Sequence, residues 1–588
     1  MNLAMDLTAL ETKGLVRNTG PGEYSFRHTL FQETAYHSLL RGERAELHRS
    51  VAKVLEQQFP DGGEGVASIL GHHFYQAGDE AKALTYFTIA AEEAAKVYAN
   101  QEAINFYRQS IDLALKHDPD AGLLTRLFTG CGRVRELMGD YAGALETYGT
   151  MEATSNELGL QGMAIKARVA RDTLFSSPSA VSDHRSAKLS AQETLRLARA
   201  AGDHEAEARS LWNLMMGAFF LGEEEASRDF GEEALAIARE TGNKELQAFV
   251  MNDLSRSYLF FVRSQSRGTE LLEEAMVLWR ELDNLPMLAD CLNGLAMWNG
   301  FSAHFEEAEE LSKQALSISE EIDNPWGRSY SAYNMNQVYA HRGRFLESLR
   351  QGDDALRWGE VAGFIVPKVA SASIQAWVNG TLGQYDEALN TARIAYDFAR
   401  ESLVAWSAMP LSVLVLVDLW KEDGEAAESQ ARELDEMLQD PASIFFPYAK
   451  VWAAYALSEF RFHQGNHQEA LGWADRALEL QGKIVYRIML IDTLLVKSRA
   501  LVEMGQVEQA WETLEAAHQE AIQTRSDRVL WLVLYRMSLL KRRQGATEQA
   551  EALKAESRQA LEVVVDWLGG EAKQSFLTTP EVAAVWGA

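Results

Sequence analysis

The chain has 588 residues, with 56 Lys and Arg against 85 Asp and Glu, for a net charge of −29. That length exceeds a single compact core, and so acidic a surface argues against nucleic acid and membrane as partners, although acidity also keeps a long surface soluble. With 11 prolines and a bias to Ala, Leu and Glu, the composition favours helix throughout.

Residues 1–60 open with a short helix around Leu7, a turn at Gly14, and two short alternating segments joined by Thr19–Gly22. Helices follow from Leu30 to about Leu40 and from Arg44 to Gln57, ended by Pro60-Asp-Gly-Gly. The run Tyr24-Ser-Phe-Arg-His28-Thr-Leu30-Phe-Gln-Glu33-Thr-Ala-Tyr36, followed by Arg44, Leu47-His48, Val51-Ala52 and Leu55-Glu56, resembles one junction in signalling ATPases of the STAND class. There the end of a winged-helix module leads into a tetratricopeptide (TPR) array, most similarly in bacterial proteins with an adenylate/guanylate cyclase, kinase or regulator domain in front. Gly71-His-His-Phe-Tyr75, Ala81–Tyr86 and Asn100–Tyr107 resemble the first repeats of those proteins, and Ser575–Val582 resembles their C-terminus. The resemblance implies that His28, in a His-x-Leu setting, senses the phosphates of a bound nucleotide; a local hydrogen bond at a helix start is the alternative. The chain departs from the family in having no GxxxxGK[ST]: Gly482-Lys483 lacks both the earlier glycine and the hydroxyl, so no phosphate cradle is expected, nor can a cyclase metal site be assigned.

Residues 61–175 read as N-terminal repeats and 176–200 as an irregular connection and helix, with Ser176–Asp183 the candidate hinge or exposed loop. Residues 201–568 carry the main array. Gly343, Gly383, Gly424, Gly465, Gly505 and Gly545 recur every 40 or 41 positions, each with a small residue five places on (Ser348, Ala388, Ser429, Ala470, Ala510, Ala550). Gly78, Gly139 and Gly222 extend the tag upstream; at Val262/Arg263 and Ser302/Ala303 it is degenerate, with Gly268 and Ala308 keeping the small position. Glycine supplies the turn after a helix and the small residue lets two helices approach. Such a period is a solenoid signature, longer than the roughly 34 residues of a minimal TPR and similar to the arrays of kinesin light chain and of bacterial peptide- and sugar-sensing regulators. The fold class expected is all-α: a right-handed TPR-like solenoid of about 40-residue repeats, preceded by the end of a winged-helix module. A capping helix over Ala550–Leu568 and a partly ordered tail over 569–588 complete it.

Nine residues before the turn stands a polar column, Asn213, Asp253, Asn293 and Asn334, with Tyr258, Trp298 and Tyr339 five residues after the last three. Stacked repeats would align these on one face, where amides suit a peptide backbone or sugar hydroxyls; the arrangement resembles the asparagine ladder of O-linked N-acetylglucosamine transferase. Capping or bridging of adjacent helices is the alternative. Downstream the column becomes Ile374, Val415, Ala456 and Val496, so a polar groove would lie in the middle repeats.

No catalytic or metal-binding constellation emerges. His72-His73 has no spaced ligand partners, His463 and His467 straddle a turn, there is no GxSxG or HExxH, and the Glu runs at 223–225 and 306–310 suit solvated helix faces. Cys131 and Cys291 lack CxxC partners and are expected to be reduced and buried, as in a cytoplasmic protein. Val404–Trp420, the most apolar run, falls short of the roughly 20 residues of a membrane span, and no signal-peptide pattern opens the chain. The expected function is a non-catalytic sensor and protein-interaction arm, without cofactor, binding a protein, peptide or small ligand and biasing a STAND ATPase in cis or trans. A stand-alone peptide-binding scaffold and the small-ligand arm of a transcription regulator are the alternatives, the latter disfavoured by the lack of a basic recognition helix.

Overall fold

The computed structural model describes residues 3–59, 63–117, 120–259, 262–440 and 445–587, and within them thirty α-helices and one two-stranded hairpin. The chain divides into two compact units, 1–134 and 135–588.

In the first unit the helix Leu3–Thr12 turns at Gly14 into the antiparallel hairpin Val16–Gly20/Glu23–Phe26, followed by the helices Thr29–Ser38 and Arg41–Gln58. Pro60 and the two residues after it lie outside the described residues. Little of this entry is packed. Thr29–Ser38 buries no residue, and Phe26, Leu30, Phe31, Leu40, Leu47 and Val54 are exposed. Packing begins where Ala52 meets Leu70, Phe74, Ala83 and Phe87 of the next helices. There Glu56 accepts hydrogen bonds from Lys82 Nζ at 2.6 Å and Tyr86 Oη at 2.9 Å.

The second unit contains nine successive helical hairpins, from His204–Phe220/Glu224–Glu240 to Asp527–Arg543/Thr547–Asp566. The turn inside most hairpins is a left-handed residue: Gly222, Gly343, Gly383, Gly465, Gly505 and Gly545 all have φ between +74° and +86°. Two positions differ from the sequence expectation. Ala303, at φ +62°, occupies the turn in the degenerate repeat, and in the next-but-two repeat the left-handed residue is Glu422 (φ +63°), Gly424 being the first helical residue. A side chain there costs about 1–2 kcal/mol, tolerable once or twice in a large array. Most of the small residues do what their spacing requires; Ser429 does not, being exposed, and Ala427, five places after Glu422, takes the buried place. Ala308, Ser348, Ala388, Ala470, Ala510 and Ala550 are fully buried, and Ser348, Ser458 and Ser538 each donate across the hairpin to a backbone carbonyl at 2.8 Å.

A second 40-residue signal sits between hairpins. Asp203, Asn243, Asn284 and Asn324 each accept from the backbone N–H three residues on, at 3.0–3.2 Å, capping the next helix. Each follows a left-handed residue: Gly202, Gly242, Asp283 and Asp323. Together these features make the fold an all-α, TPR-like helical-repeat solenoid.

Packing in the array is not confined to neighbouring repeats. Arg487 N donates to Phe301 O at 2.7 Å, Phe301 packs on Tyr448 and Tyr486, and Phe219 packs on Phe446 with centroids 5.3 Å apart. A Cβ on Gly343 would lie 3.1 Å from the Arg528 backbone. The first helices of the hairpins are buried nearly all round, because their Trp, Tyr and Phe side chains fill the space between non-neighbouring repeats. Residues 177–183 are likewise not an exposed loop. Ser179 is buried in an antiparallel bridge to Phe364, and Ala180 N donates to Gly363 O at 2.9 Å; small Ser and Ala side chains let the two strands of chain lie close. Within the segment expected as a partly ordered tail, Gly570–Thr578 and Pro580–Trp586 are helices that bury Phe576, Val582 and Val585.

Candidate functional site

The polar column of the middle repeats is a sealed structural ladder. Asn213 and Asn293 are 0 % exposed, Asn334 2 % and Asp253 7 %. Asn213 Nδ2 donates to Val169 O at 3.1 Å and its Oδ1 accepts from Thr173 Oγ1, so the side chain ties one first helix to the preceding one. Three repeats on, Asn334 Nδ2 makes a like contact, donating to Asn293 O at 2.9 Å, while Asn293 Oδ1 accepts from Ser331 Oγ at 3.0 Å. Asp253 sits among Trp212 Nε1 (3.0 Å), Arg256 (3.3 Å) and Asn252, and burial pushes its carboxyl up to about 6. The bridging alternative therefore describes all four.

The accompanying aromatics belong to the same framework. Tyr258 donates to Glu232 at 2.7 Å and Tyr339 to Glu309 at 3.0 Å, burial raising both phenols to about 12. Trp298 is buried edge-on against Phe301. His28 is apart from these, in the first unit: exposed, at the N-cap of Thr29–Ser38, with no side-chain cap bond and its ring edge-on to Phe31 at 5.7 Å.

An open site lies further along the array. A cavity of about 360 Å³ is enclosed by the first helices Ala370–Thr381, Ala408–Trp420, Pro447–His463, Leu490–Glu503 and Asp527–Arg543, and on its remaining side by the C-terminal pair of short helices. Trp377, Trp420, Trp531 and Tyr385 supply aromatic wall. Set among them are three arginines, two of them paired within the array. Arg528 makes a two-pronged contact with Asp492 at 3.0 and 2.7 Å, its guanidinium 4.7 Å from the Trp377 ring centroid. Arg499 Nη1 lies 2.9 Å from both Glu459 oxygens, with the guanidinium over Phe462. Burial works against the Arg499 charge, and the carboxylates of Glu459 and Glu581 together more than restore it.

Arg536 is different. It stands two turns beyond Arg528 on one helix, and its carboxylate contact is Glu581, on Pro580–Trp586. Burial, then the neighbouring Arg499 charge, pull its pKa below the usual arginine value. Its Nε, like that of Arg528, is buried without a hydrogen-bond partner among the described residues. Such a pocket can bind and orient; it presents no nucleophile with an activating base, and the described residues contain no group of three or more His, Cys, Asp and Glu placed to hold a metal ion. Sequence reading missed this site because its members come from five repeats and a terminal segment. The available signal was Arg499, Arg528 and Arg536 on first helices, where apolar residues otherwise dominate.

No helix among the described residues is long and apolar enough to cross a membrane. No family model matches the chain. Over 108 residues, 18 % of the chain, it is 35 % identical to an uncharacterized protein of Rhizobium meliloti (strain 1021), and the match spans about a tenth (10 %) of that protein's length. Among solved structures it is similar to a Rap protein complexed with competence and sporulation factor, at TM-score 0.46 and 14 % identity over 62 % of this chain and 99 % of that one. It is similar also to the Cut9–Hcn1 hetero-tetramer of APC/C, at TM-score 0.45 and 13 % identity over 94 % and 98 % of the two chains. A third is NprR in complex with its cognate peptide NprX, at TM-score 0.39 and 12 % identity over 57 % and 96 %.

Proposed function

We propose that this chain is a non-catalytic protein-interaction arm that holds a segment of a protein or peptide partner in the cavity bounded by Trp377, Trp420 and Trp531. The observation that carries the reading is the cavity itself: aromatic walls with fixed charged pairs, lined from five repeats. Aromatic walls offer area at low conformational cost, and prepaired arginines offer fixed donors. In the wider reading the arm is cytoplasmic and biases a STAND-type signalling ATPase, linked to an adenylate cyclase or another regulator, in cis or trans. Two features support that reading: the junction-like sequence of residues 24–56, and the exposed Phe26, Leu30, Phe31 and Leu47 of the first unit. His28 would then report on the nucleotide state of that ATPase, and partner binding would act by favouring one of its two states.

A displayed peptide library panned on the full chain tests the cavity, with intrinsic tryptophan fluorescence as the readout. Selected peptides are expected to bind saturably and to lose at least tenfold in affinity on Thr381→Trp, which fills the pocket. Binding indifferent to that substitution would overturn the reading.

A further inference from the structure

The last two helices occupy the place where a bound segment would lie. Gly570–Thr578 and Pro580–Trp586 follow the long helix Thr547–Asp566 through a turn at Gly569 and Gly570, the latter at φ +55°. They face the hairpins through a few anchors. Phe576 is 2 % exposed with its ring edge-on to Phe345 at 6.1 Å, and Val582 and Val585 are 2 % and 1 % exposed. Ser575 and Thr579 come so close to the turn at Gly383 that a Cβ there would sit 3.0 Å from Ser575 Oγ and 3.2 Å from Thr579 Cγ2. Glu581 then reaches Arg536.

Asp492 and Glu459 are on the array's own helices, so Arg528 and Arg499 keep their directly paired carboxylates whatever lies in the cavity. Arg536 makes its direct carboxylate contact with the terminal segment, Glu459 acting on it only at longer range. Removing that segment would leave a part-buried guanidinium without its carboxylate contact beside aromatic walls, which is a receptor for a carboxylate flanked by apolar side chains.

Resting on the function proposed above, we infer that the cavity recognises a short acidic segment, one Glu or Asp between apolar anchors, and that residues 570–586 are its built-in occupant and competitor. Glu581 stands in for the partner's carboxylate, and Phe576 and Val582 stand in for its anchors. A tethered occupant acts at an effective concentration on the order of millimolar, so a free segment of similar intrinsic affinity must displace it and binds correspondingly more weakly.

The probe is a synthetic fluorescent peptide of residues 570–586, followed by anisotropy against full-length protein. Opening the site with Glu581→Lys and Val582→Asp together should tighten its binding at least tenfold over the unsubstituted chain, and adding Arg536→Gln should abolish the gain. A peptide carrying Glu581→Gln should compete at least tenfold worse than the parent. Equal affinity for the opened and unsubstituted chains, or equal competition by the Gln peptide, would overturn the inference. Should the opened variant lose its helical circular dichroism, hydrogen exchange of residues 570–587 in the unsubstituted chain replaces it: excess peptide should accelerate exchange, and no change would overturn the inference. Library peptides that respond to Thr381→Trp but bind opened and unsubstituted chains alike would leave the cavity reading standing while this inference falls.

Discussion

Replacing Asn293 and Asn334 by alanine separates a structural ladder from a ligand groove. Asn293 accepts from Ser331 Oγ at 3.0 Å and from Asn334 Nδ2 at 3.3 Å, and donates to Gly327 O at 3.4 Å. Its loss removes these contacts and strands the buried Ser331 hydroxyl, while Asn334 Nδ2 keeps the Asn293 backbone carbonyl, for about 2–3 kcal/mol at roughly 1 kcal/mol per net hydrogen bond plus the orphaned hydroxyl. Asn334→Ala gives up the donation to Asn293 O at 2.9 Å, for about 1–2 kcal/mol. Because the two share a bond, the double variant should cost about 1 kcal/mol less than the sum. Urea denaturation read by circular dichroism gives the totals. Native-state hydrogen exchange of Leu285–Phe301 and Pro325–Arg342 localises the loss, since a repeat array need not unfold in one step. Peptide binding at the cavity should be unchanged wherever the protein remains folded. A double variant within about 0.5 kcal/mol of the parent that no longer binds peptide would refute the structural assignment.

The buried pair of Asp492 and Arg528 predicts an asymmetry: Asp492→Ala leaves an uncompensated guanidinium and should cost about 3–5 kcal/mol, whereas Asp492→Leu combined with Arg528→Met should recover most of it in the same urea denaturation. His184 lies with its ring stacked 4.6 Å from Phe220, and burial lowers its pKa from 6.5 to about 4. Its neutral form therefore contributes fully above pH 6.5, and that contribution is lost as pH falls from 6.5 toward 4. The total is about 3 kcal/mol, and His184→Phe should flatten that part of the stability–pH curve. Gly343→Ala, at φ +86° with the Arg528 backbone 3.1 Å from the new Cβ, should cost more than Gly505→Ala, at φ +76° in open space. The second is expected near 1–2 kcal/mol in chemical denaturation.

The repeat period was legible because a tight turn accepts few residues and close helices accept only small ones. The same logic shows why Gly424 misled: it is small and at the right step, yet the left-handed position belongs to Glu422, whose identity gives no hint of it. A better marker was present in Gly202-Asp203, Gly242-Asn243, Asp283-Asn284 and Asp323-Asn324, which fix both the end of one helix and the cap of the next. The column of Asn213, Asn293 and Asn334 was correctly aligned by its spacing, but spacing cannot tell a side chain facing solvent from one facing a neighbouring carbonyl. That depended on Phe301, Tyr448 and Tyr486 filling the inner space, a contact between residues far apart in sequence.

The position of the cavity follows from that same long-range closure. Phe301 meets Arg487 and Gly343 meets Arg528, so these two successive hairpin turns close on chain about 185 residues further on. Continued at that offset, the turn at Gly383 should meet a first helix just beyond Thr547–Asp566, where the hairpins have stopped. What it meets is Ser575 and Thr579, on two short helices that replace a full repeat. Helices of nine and seven residues cannot fill the volume of a pair of seventeen or more, and the shortfall is the cavity. Arg536 lies at the edge of that shortfall, which is why its charge is met by Glu581 of the replacing segment rather than by a carboxylate of a tenth hairpin. A site made in this way is coupled to the segment that borders it: any ligand that satisfies Arg536 must compete with Glu581, so occupancy and release of the C-terminus are the same equilibrium seen from two sides.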